Sequence, residues 1–598
     1  VRSEAIQLIS LHTSPRFHQP LEMKPQVSSC LRGDALVSQL RLAVVFPGAA
    51  SLGSYEAGAA FELARCALLA RRLANDKPPL TIDVVVGSSA GAITGALLAY
   101  IILTDGEPSW LYHAWVTHPQ LHELMLVSEL NGVFSMRRLM EISCELLADV
   151  EPPHCPDDAN LRYVAMLTNL SPLHYRIPIL EDFGRPLLAS TNRDWKAMVL
   201  TPRGALTPHG RYSWRYVASV ALSSAAFPAV FPAQRLERGA MEYIANHVWL
   251  DASGSEVIMF DFIDGGVMHN CPIGIAFDAL YEPHRIGLID QEPIDDTDAK
   301  RLIVVISPRA QTPMPTKPAH GLQPLMVDVL MGVLSARFNV NDVFDDLRGA
   351  QKLNSRIKWK TILLERMKRW LLENPQVVDG FIEALEDVRA EVEKDLGRIR
   401  AQRFCSGEHD GHVDKDENES GWSAHSDVEL AIDLLKAVLD KVSGTTGKRQ
   451  VRIDLVSPSL LGDVGMPDEL LCGEALGHFA GFLSRRFREN DFQVGAECVR
   501  KWLCELDELD DSLRERIGEE QRIIKVWGER IERRKDGSII PIREREPLCE
   551  VKLGRVSKDE VCARCRWTPA MYVGMLMLAI RAVVVSLINV IRFMLRRI

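Results

Sequence analysis

The residues best suited to covalent chemistry lie at Gly87-Ser88-Ser89-Ala90-Gly91, a Gly-x-Ser-x-Gly pentapeptide. A short apolar run, Ile82 to Val86, enters it, and a small, apolar, helix-compatible stretch leaves it. That is the strand-turn-helix setting in which a serine hydroxyl is presented as a nucleophile. Gly87 and Gly91 let the backbone turn sharply and leave room around Ser89 Oγ. The N–H groups opening the next helix, beginning at Ala90, can hold an oxyanion. A serine hydroxyl attacks at neutral pH only if an adjacent base takes its proton. The candidate base is Asp264, in Asp264-Gly265-Gly266-Val267-Met268-His269-Asn270. Taken alone, this Asp-Gly is an ordinary tight turn.

These residues need a frame to hold them. Leu42 to Phe46 is a compact apolar run, read as a buried strand, and it meets the loop Pro47-Gly48-Ala49-Ala50-Ser51-Leu52-Gly53. Apolar positions at Ala59, Leu63, Cys66, Ala70 and Leu73 then follow at helical spacing. Pro78 and Pro79 end that unit, and the strand to Val86 begins the next. Strand, glycine-containing loop, helix, strand, nucleophile turn and helix make an α/β architecture. Both loops fall at the carboxyl ends of parallel strands, where such sheets place their sites. Residues 105–210 read as helices and loops inserted over the site. Ser223-Ser224-Ala225-Ala226-Phe227-Pro228-Ala229-Val230-Phe231-Pro232 reads as a helix running into two prolines. Leu302 to Ile306 and Val451 to Val456 read as further strands, with helices over about 322–402 and again up to 510. Asp536-Gly537, between two charged and apolar runs, predicts a hairpin.

Composition narrows the class. The 598 residues are 47% hydrophobic and 25% charged, as in a globular protein. A net charge of −10 offers nothing for nucleic-acid binding. Twelve scattered cysteines, several inside apolar runs, suit a reducing cytosol better than a disulfide framework. No secretory signal is visible, residues 1–40 read as a poorly ordered arm, and Met23 is a plausible start.

The last thirty residues are unlike the rest. Met571 to Ile598 is almost wholly apolar, broken by Arg581, Ser586, Asn589, Arg592, Arg596 and Arg597. At about 100° per residue, most of these polar positions share one face. A spanning helix would fit by length, but Arg581 near its centre would cost about 2.5–3.5 kcal/mol. A helix lying in a membrane interface is the favoured reading, ahead of a transmembrane anchor or a helix docked on the protein's own core.

The small-residue loop at Gly48–Gly53, the pentapeptide at Ser89, the Ser-Ser-Ala-Ala-Phe-Pro segment and Asp264-Gly265-Gly266 occur in a fixed order. Together they resemble the patatin-like phospholipase family over roughly residues 41–355, with 450–510 as its closing part. The resemblance implies a three-layer α/β fold with a mainly parallel central sheet, carrying helical insertions and a C-terminal helical extension. It also implies a Ser-Asp dyad of Ser89 as nucleophile and Asp264 as general base, with an acyl-enzyme intermediate and no metal or cofactor. Its oxyanion loop maps onto Gly48, Ala49 and Ala50, closed by Gly53. This chain departs from the family there, since two of the three loop glycines are alanines and Leu52 replaces the usual basic residue. The expected organisation is an arm at 1–40, a catalytic domain at 41–360, and a helical insertion at 361–450 holding a polar linker at 405–426. A closing segment at 451–510, a charged region at 511–568 and a membrane-seeking helix at 569–598 follow.

The expected activity is therefore that of a serine lipid acyl hydrolase on fatty-acyl esters. It would be cytoplasmic and held at a membrane surface by 569–598, without nucleic-acid partners. With an alcohol as acyl acceptor the same dyad would make a transacylase, and with a failed oxyanion loop the chain would be a membrane-associated scaffold. His269 invites a Ser-His-Asp triad, but five residues from Asp264 it reads better as a histidine behind the site. Cys562-Ala563-Arg564-Cys565 mimics half a zinc site and reads as inert thiols, or as acylation sites beside the apolar tail. His409, Asp410, His412 and Asp414 read as solvated linker residues.

Overall fold

The computed structural model describes residues 39–595, apart from 75–76, 119, 126–131, 147–158, 178–186, 229, 245–247, 249, 251–255, 289, 295–298, 310–340, 391–426, 446–447, 475–477, 527–531, 534–538 and 541–548. The expected arm, the polar linker and the His409–Asp414 cluster lie outside the described residues.

The strands are β1 (Gln39–Phe46), β2 (Leu80–Gly87), β3 (Leu161–Ile177), β4 (Leu187–Thr201), β5 (Gly204–Thr207), β6 (Gly210–Tyr212), β7 (Gln234–Gly239), β8 (Val257–Asp264), β9 (Ala299–Ile306) and β10 (Arg452–Val456). They form one sheet in the order β10-β9-β1-β2-β3-β4-β5-β6, and the β7-β8 hairpin joins it through β8 and β3. Pairing is parallel from β10 to β3 and antiparallel from β3 to β6. The parallel strands are runs of Val, Leu and Ile because both of their faces are covered. Along β1, Leu42, Val44 and Phe46 enter one core with Val85 and the helices Gly53–Leu73, Ala90–Thr104 and Arg485–Glu505. Ala43 and Val45 enter the other with Val84, Val86, Val305 and the helix Ile273–Tyr281. The result is a three-layer α/β fold. Leu513, Ile517, Ile524 and Val561 complete the first core from beyond residue 510.

Three features differ from the sequence reading. Residues 105–210 are not only helices and loops, for β3 and β4 are long strands of the central sheet. Their pattern is masked because polar side chains are buried there with partners. Arg162 donates to the carbonyls of Ala279 and Leu280, and Thr168 to that of Asp264. Lys196 meets Glu242. Second, Cys565 is not a thiol but is joined to Cys472 in a disulfide, with Cα atoms 4.9 Å apart. Third, the C-terminal helix Pro569–Leu595 turns Arg581 toward the protein rather than toward water, and its outward face is apolar. The expected hairpin is flanked by Glu532–Arg533 and Ile539–Ile540, which pair antiparallel around the predicted turn.

Candidate active site

Strand β3 acts as the ruler of the site. Gly87, ending β2, pairs with Ala165 in parallel, and Asp264, ending β8, pairs with Leu167 in antiparallel sense. Two residues of one strand, about 7 Å, therefore separate the element that delivers Ser89 from the element that delivers Asp264. Ser89 Oγ donates to Asp264 Oδ2 across 2.5 Å. Ser89 is 8% exposed and Asp264 fully buried.

The turn at Ser89 is strained by design of the fold. Ser89 has φ 53°, ψ −124°, outside the regions open to ordinary residues. Two contacts hold it there. Its N–H donates to Ser224 Oγ at 2.9 Å, and the preceding Ser88 hydroxyl donates to the His269 carbonyl at 3.0 Å. At Gly91 a Cβ would stand 2.3 Å from the Phe46 carbonyl oxygen, so only glycine lets the helix Ala90–Thr104 close on β1. Gly87 is similarly crowded by Gly91 and Ala92. On the acid side, the Asp264 N–H donates to the Ala226 carbonyl at 2.9 Å. The second carboxylate oxygen accepts the Gly266 N–H at 2.7 Å. Gly265 passes directly over β3, where a Cβ would meet the Met166 carbonyl oxygen at 2.2 Å.

Ser224 and Ala226 lie in the Ser-Ser-Ala-Ala-Phe-Pro segment. That segment clamps the serine with a hydroxyl and the aspartate with a carbonyl, a role that the sequence order of motifs did not reveal. Asn270 is a second residue the sequence reading missed. Its carbonyl and its Oδ1 both accept the Gly48 N–H at 3.1 Å, which ties the first loop to the segment after Asp264. Gly48 is thus already engaged, while no described residue accepts from the amides of Ala49, Ala50 or Ala90. Backbone amides without an acceptor of their own can donate to an oxyanion. Ala49 keeps a negative φ of −135°, but Ala50 is held at φ 49°, in the left-handed region that costs an L-residue roughly 1–2 kcal/mol. Gly53 opens the first helix, packed against the Trp115 ring. His269 turns its ring to the Arg193 guanidinium, and Ser89 bonds Asp264 with no histidine between them.

Burial pushes the Asp264 carboxyl up to about 7, against the Ser89 hydroxyl and the Gly266 amide, which pull it down. A base that titrates near neutrality can both take a proton from serine and return it. Beside the pair opens a cavity of about 940 Å³, its mouth included. Ala50, Ser89 and Ala90 lie in its lining with Ile93, Leu97, Trp115, Leu124, Leu222, Phe227, Phe231 and Phe482. Of its described lining only Ser89 and Ser143 carry hydroxyls, so the surface it presents is almost wholly apolar. Among the described residues, no group of three or more His, Cys, Asp or Glu side chains is arranged to hold a metal ion.

Four outcomes follow from this geometry. Where Asp264 serves as base, kcat/KM for an ester should rise with pH through an acid limb of apparent pKa about 7. The folded protein binds the Asp264 proton more tightly than the unfolded chain does. The carboxyl's stabilising contribution is therefore full below about pH 4 and lost as the pH climbs through about 7. Asp264→Asn should accordingly raise the melting temperature above neutral pH and leave it nearly unchanged in acid. Ala50→Gly should relieve the left-handed strain and raise unfolding free energy by up to about 1 kcal/mol, read from denaturant midpoints. Ser224→Ala leaves the buried Ser89 N–H without its acceptor, at about 1–3 kcal/mol, and should lower kcat more than it raises KM.

Residues 44–277, which include both Ser89 and Asp264, match the family model of patatin-like phospholipases. No curated protein matches the chain significantly. Among solved structures, VipD from Legionella pneumophila is similar at 11% identity and a TM-score of 0.20. That match covers 55% of this chain and 56% of VipD. Residues 44–277 therefore carry a region similar to the patatin-like phospholipase domain, which is consistent with lipid acyl hydrolase activity in general.

Proposed function

We propose that the protein is a serine lipid acyl hydrolase that works at a membrane surface with Ser89 as nucleophile and Asp264 as its base. The observation that carries this reading is the 2.5 Å hydrogen bond between Ser89 Oγ and Asp264 Oδ2, at the end of an apolar cavity. With the fatty-acyl chain of a phospholipid, lysophospholipid or neutral lipid in that cavity, the ester carbonyl lies at Ser89. Asp264 takes the hydroxyl proton as Ser89 Oγ bonds to the carbonyl carbon. The amides of Ala49, Ala50 and Ala90 meet the charge that develops on the carbonyl oxygen. The tetrahedral species collapses, Asp264 returns the proton to the departing alcohol, and the acyl group remains on Ser89. Water, losing its proton to Asp264, then attacks the acyl-enzyme, and as the fatty acid leaves Asp264 returns that proton to Ser89 Oγ. Because the base sits in a dry site, its proton affinity matches the task without a histidine.

The C-terminal helix supports the membrane part. Pro569–Arg592 is long and apolar enough to cross a bilayer by length and composition, with a mean hydropathy of 2.2. Only 6% of its most apolar 18-residue stretch is buried against the protein. Leaving that much apolar surface in water is costly, and lipid relieves the cost.

Purified protein should release fatty acid from a lysophospholipid or a p-nitrophenyl acyl ester, and should be labelled by a fluorophosphonate probe. Ser89→Ala and Asp264→Asn should each reduce release by a factor of about 10³ or more. Retained turnover in both variants would remove the dyad from the mechanism.

A further inference from the structure

The middle of the C-terminal helix is fastened to the wall of the acyl cavity. Met571, Gly574, Leu578, Arg581 and Val585 recur at intervals of three and four and form the face turned to the protein. In the centre of that face Arg581 Nε donates to the Val133 carbonyl at 2.5 Å, and Nη1 to the Met125 carbonyl at 2.9 Å. Each acceptor adjoins a residue of the cavity's apolar cluster. Leu124 lines the cavity, and the Phe134 ring packs on Phe231 and Phe482 at 5.5 and 5.6 Å between centroids. The Leu124 carbonyl accepts the Ser135 N–H at 2.6 Å, and the Val230 carbonyl accepts the Phe134 N–H at 2.7 Å. One guanidinium therefore joins the helix to both strips of chain that brace this side of the cavity.

The opposite face of the same helix carries Leu576, Met577, Ile580, Val583, Leu587 and Val590, each at least 48% exposed. Arg592 stands in its last turn. A bilayer fits this arrangement, since a continuous apolar face accepts acyl chains. The Arg581 charge, costly in lipid on an isolated helix, is here spent on two backbone carbonyls. The disulfide Cys472–Cys565 and the buried Met571 hold the helix at its amino end, so it is fixed to the protein at its start and its middle.

We propose that Arg581 is a positioning residue for the acyl cavity. It links the helix, seated by its outward face on a lipid bilayer, to the cavity wall at Leu124 and to Phe134, which packs behind the wall residues Phe231 and Phe482. The wall is then braced where a membrane lipid's long chain enters. This rests on the lipid hydrolase reading above, and the cavity rather than the dyad is what it concerns.

The test compares full-length wild type, Arg581→Ala and Arg581→Lys on p-nitrophenyl butyrate in solution and on p-nitrophenyl palmitate in phosphatidylcholine vesicles. Arg581→Ala should keep butyrate kcat/KM within about twofold and still sediment with vesicles. Its KM for palmitate should rise about tenfold, and Arg581→Lys, which keeps one donor cluster, should recover part of that loss. Binding of a fluorescent long-chain fatty acid needs no turnover, and it should weaken in the same order. Equal losses on both esters, or unchanged palmitate KM and fatty-acid affinity, would overturn the proposal. A wild type that binds the fatty acid in this Arg581-dependent way yet cleaves neither ester would refute the hydrolase reading and leave the brace standing.

Discussion

Everything at the centre of this molecule answers to one demand, that a carboxylate and a serine hydroxyl meet without water around them. The two side chains are 175 residues apart in sequence and share one hydrogen bond. Burial makes the carboxylate a strong enough acceptor and also makes it expensive. Three layers of packed structure bear that expense. β3 sets the spacing, the helix after Ser89 closes on β1, and Gly265 slides across the Met166 carbonyl. A small displacement in any of them would lengthen the contact between Ser89 and Asp264.

The same dryness links chemistry to ligand. An apolar chain filling the cavity beside Ser89 excludes solvent from the hydrogen bond as well as orienting the ester. The loop from Gly48 to Gly53 shows how far the fold tolerates an imperfect residue. Ala50 stays in a left-handed conformation because its neighbours are fixed on both sides, by Asn270 through Gly48 and by the helix that starts at Gly53. A backbone amide donates equally well from alanine or glycine, so the substitution touches stability rather than the identity of the donor.

Much of this was legible in the residues. β1, β2 and β9 announce themselves as unbroken apolar runs, and the pentapeptide with its flanks exposes the nucleophile turn. β3 did not, because Arg162, Thr168 and Asn169 interrupt it, each buried for a hydrogen bond that only the assembled sheet supplies. Ser224 and Asn270 were equally silent. A serine and an asparagine beside apolar residues carry no mark of their distant partners, Ser89 and Gly48. The partner of Cys565 lies 93 residues away, beyond any local spacing rule. Arg581 looked like a cost to a membrane helix until the carbonyls of Met125 and Val133 were beside it.

The stretch from Leu222 to Phe231 has a second consequence. It supplies Ser224 to the nucleophile turn, Ala226 to the aspartate, and Leu222, Phe227 and Phe231 to the cavity. A single short piece of chain thus serves as clamp and as measuring surface. A side-chain change there that reshapes the cavity therefore also acts on the backbone that holds Ser89 and Asp264 in place.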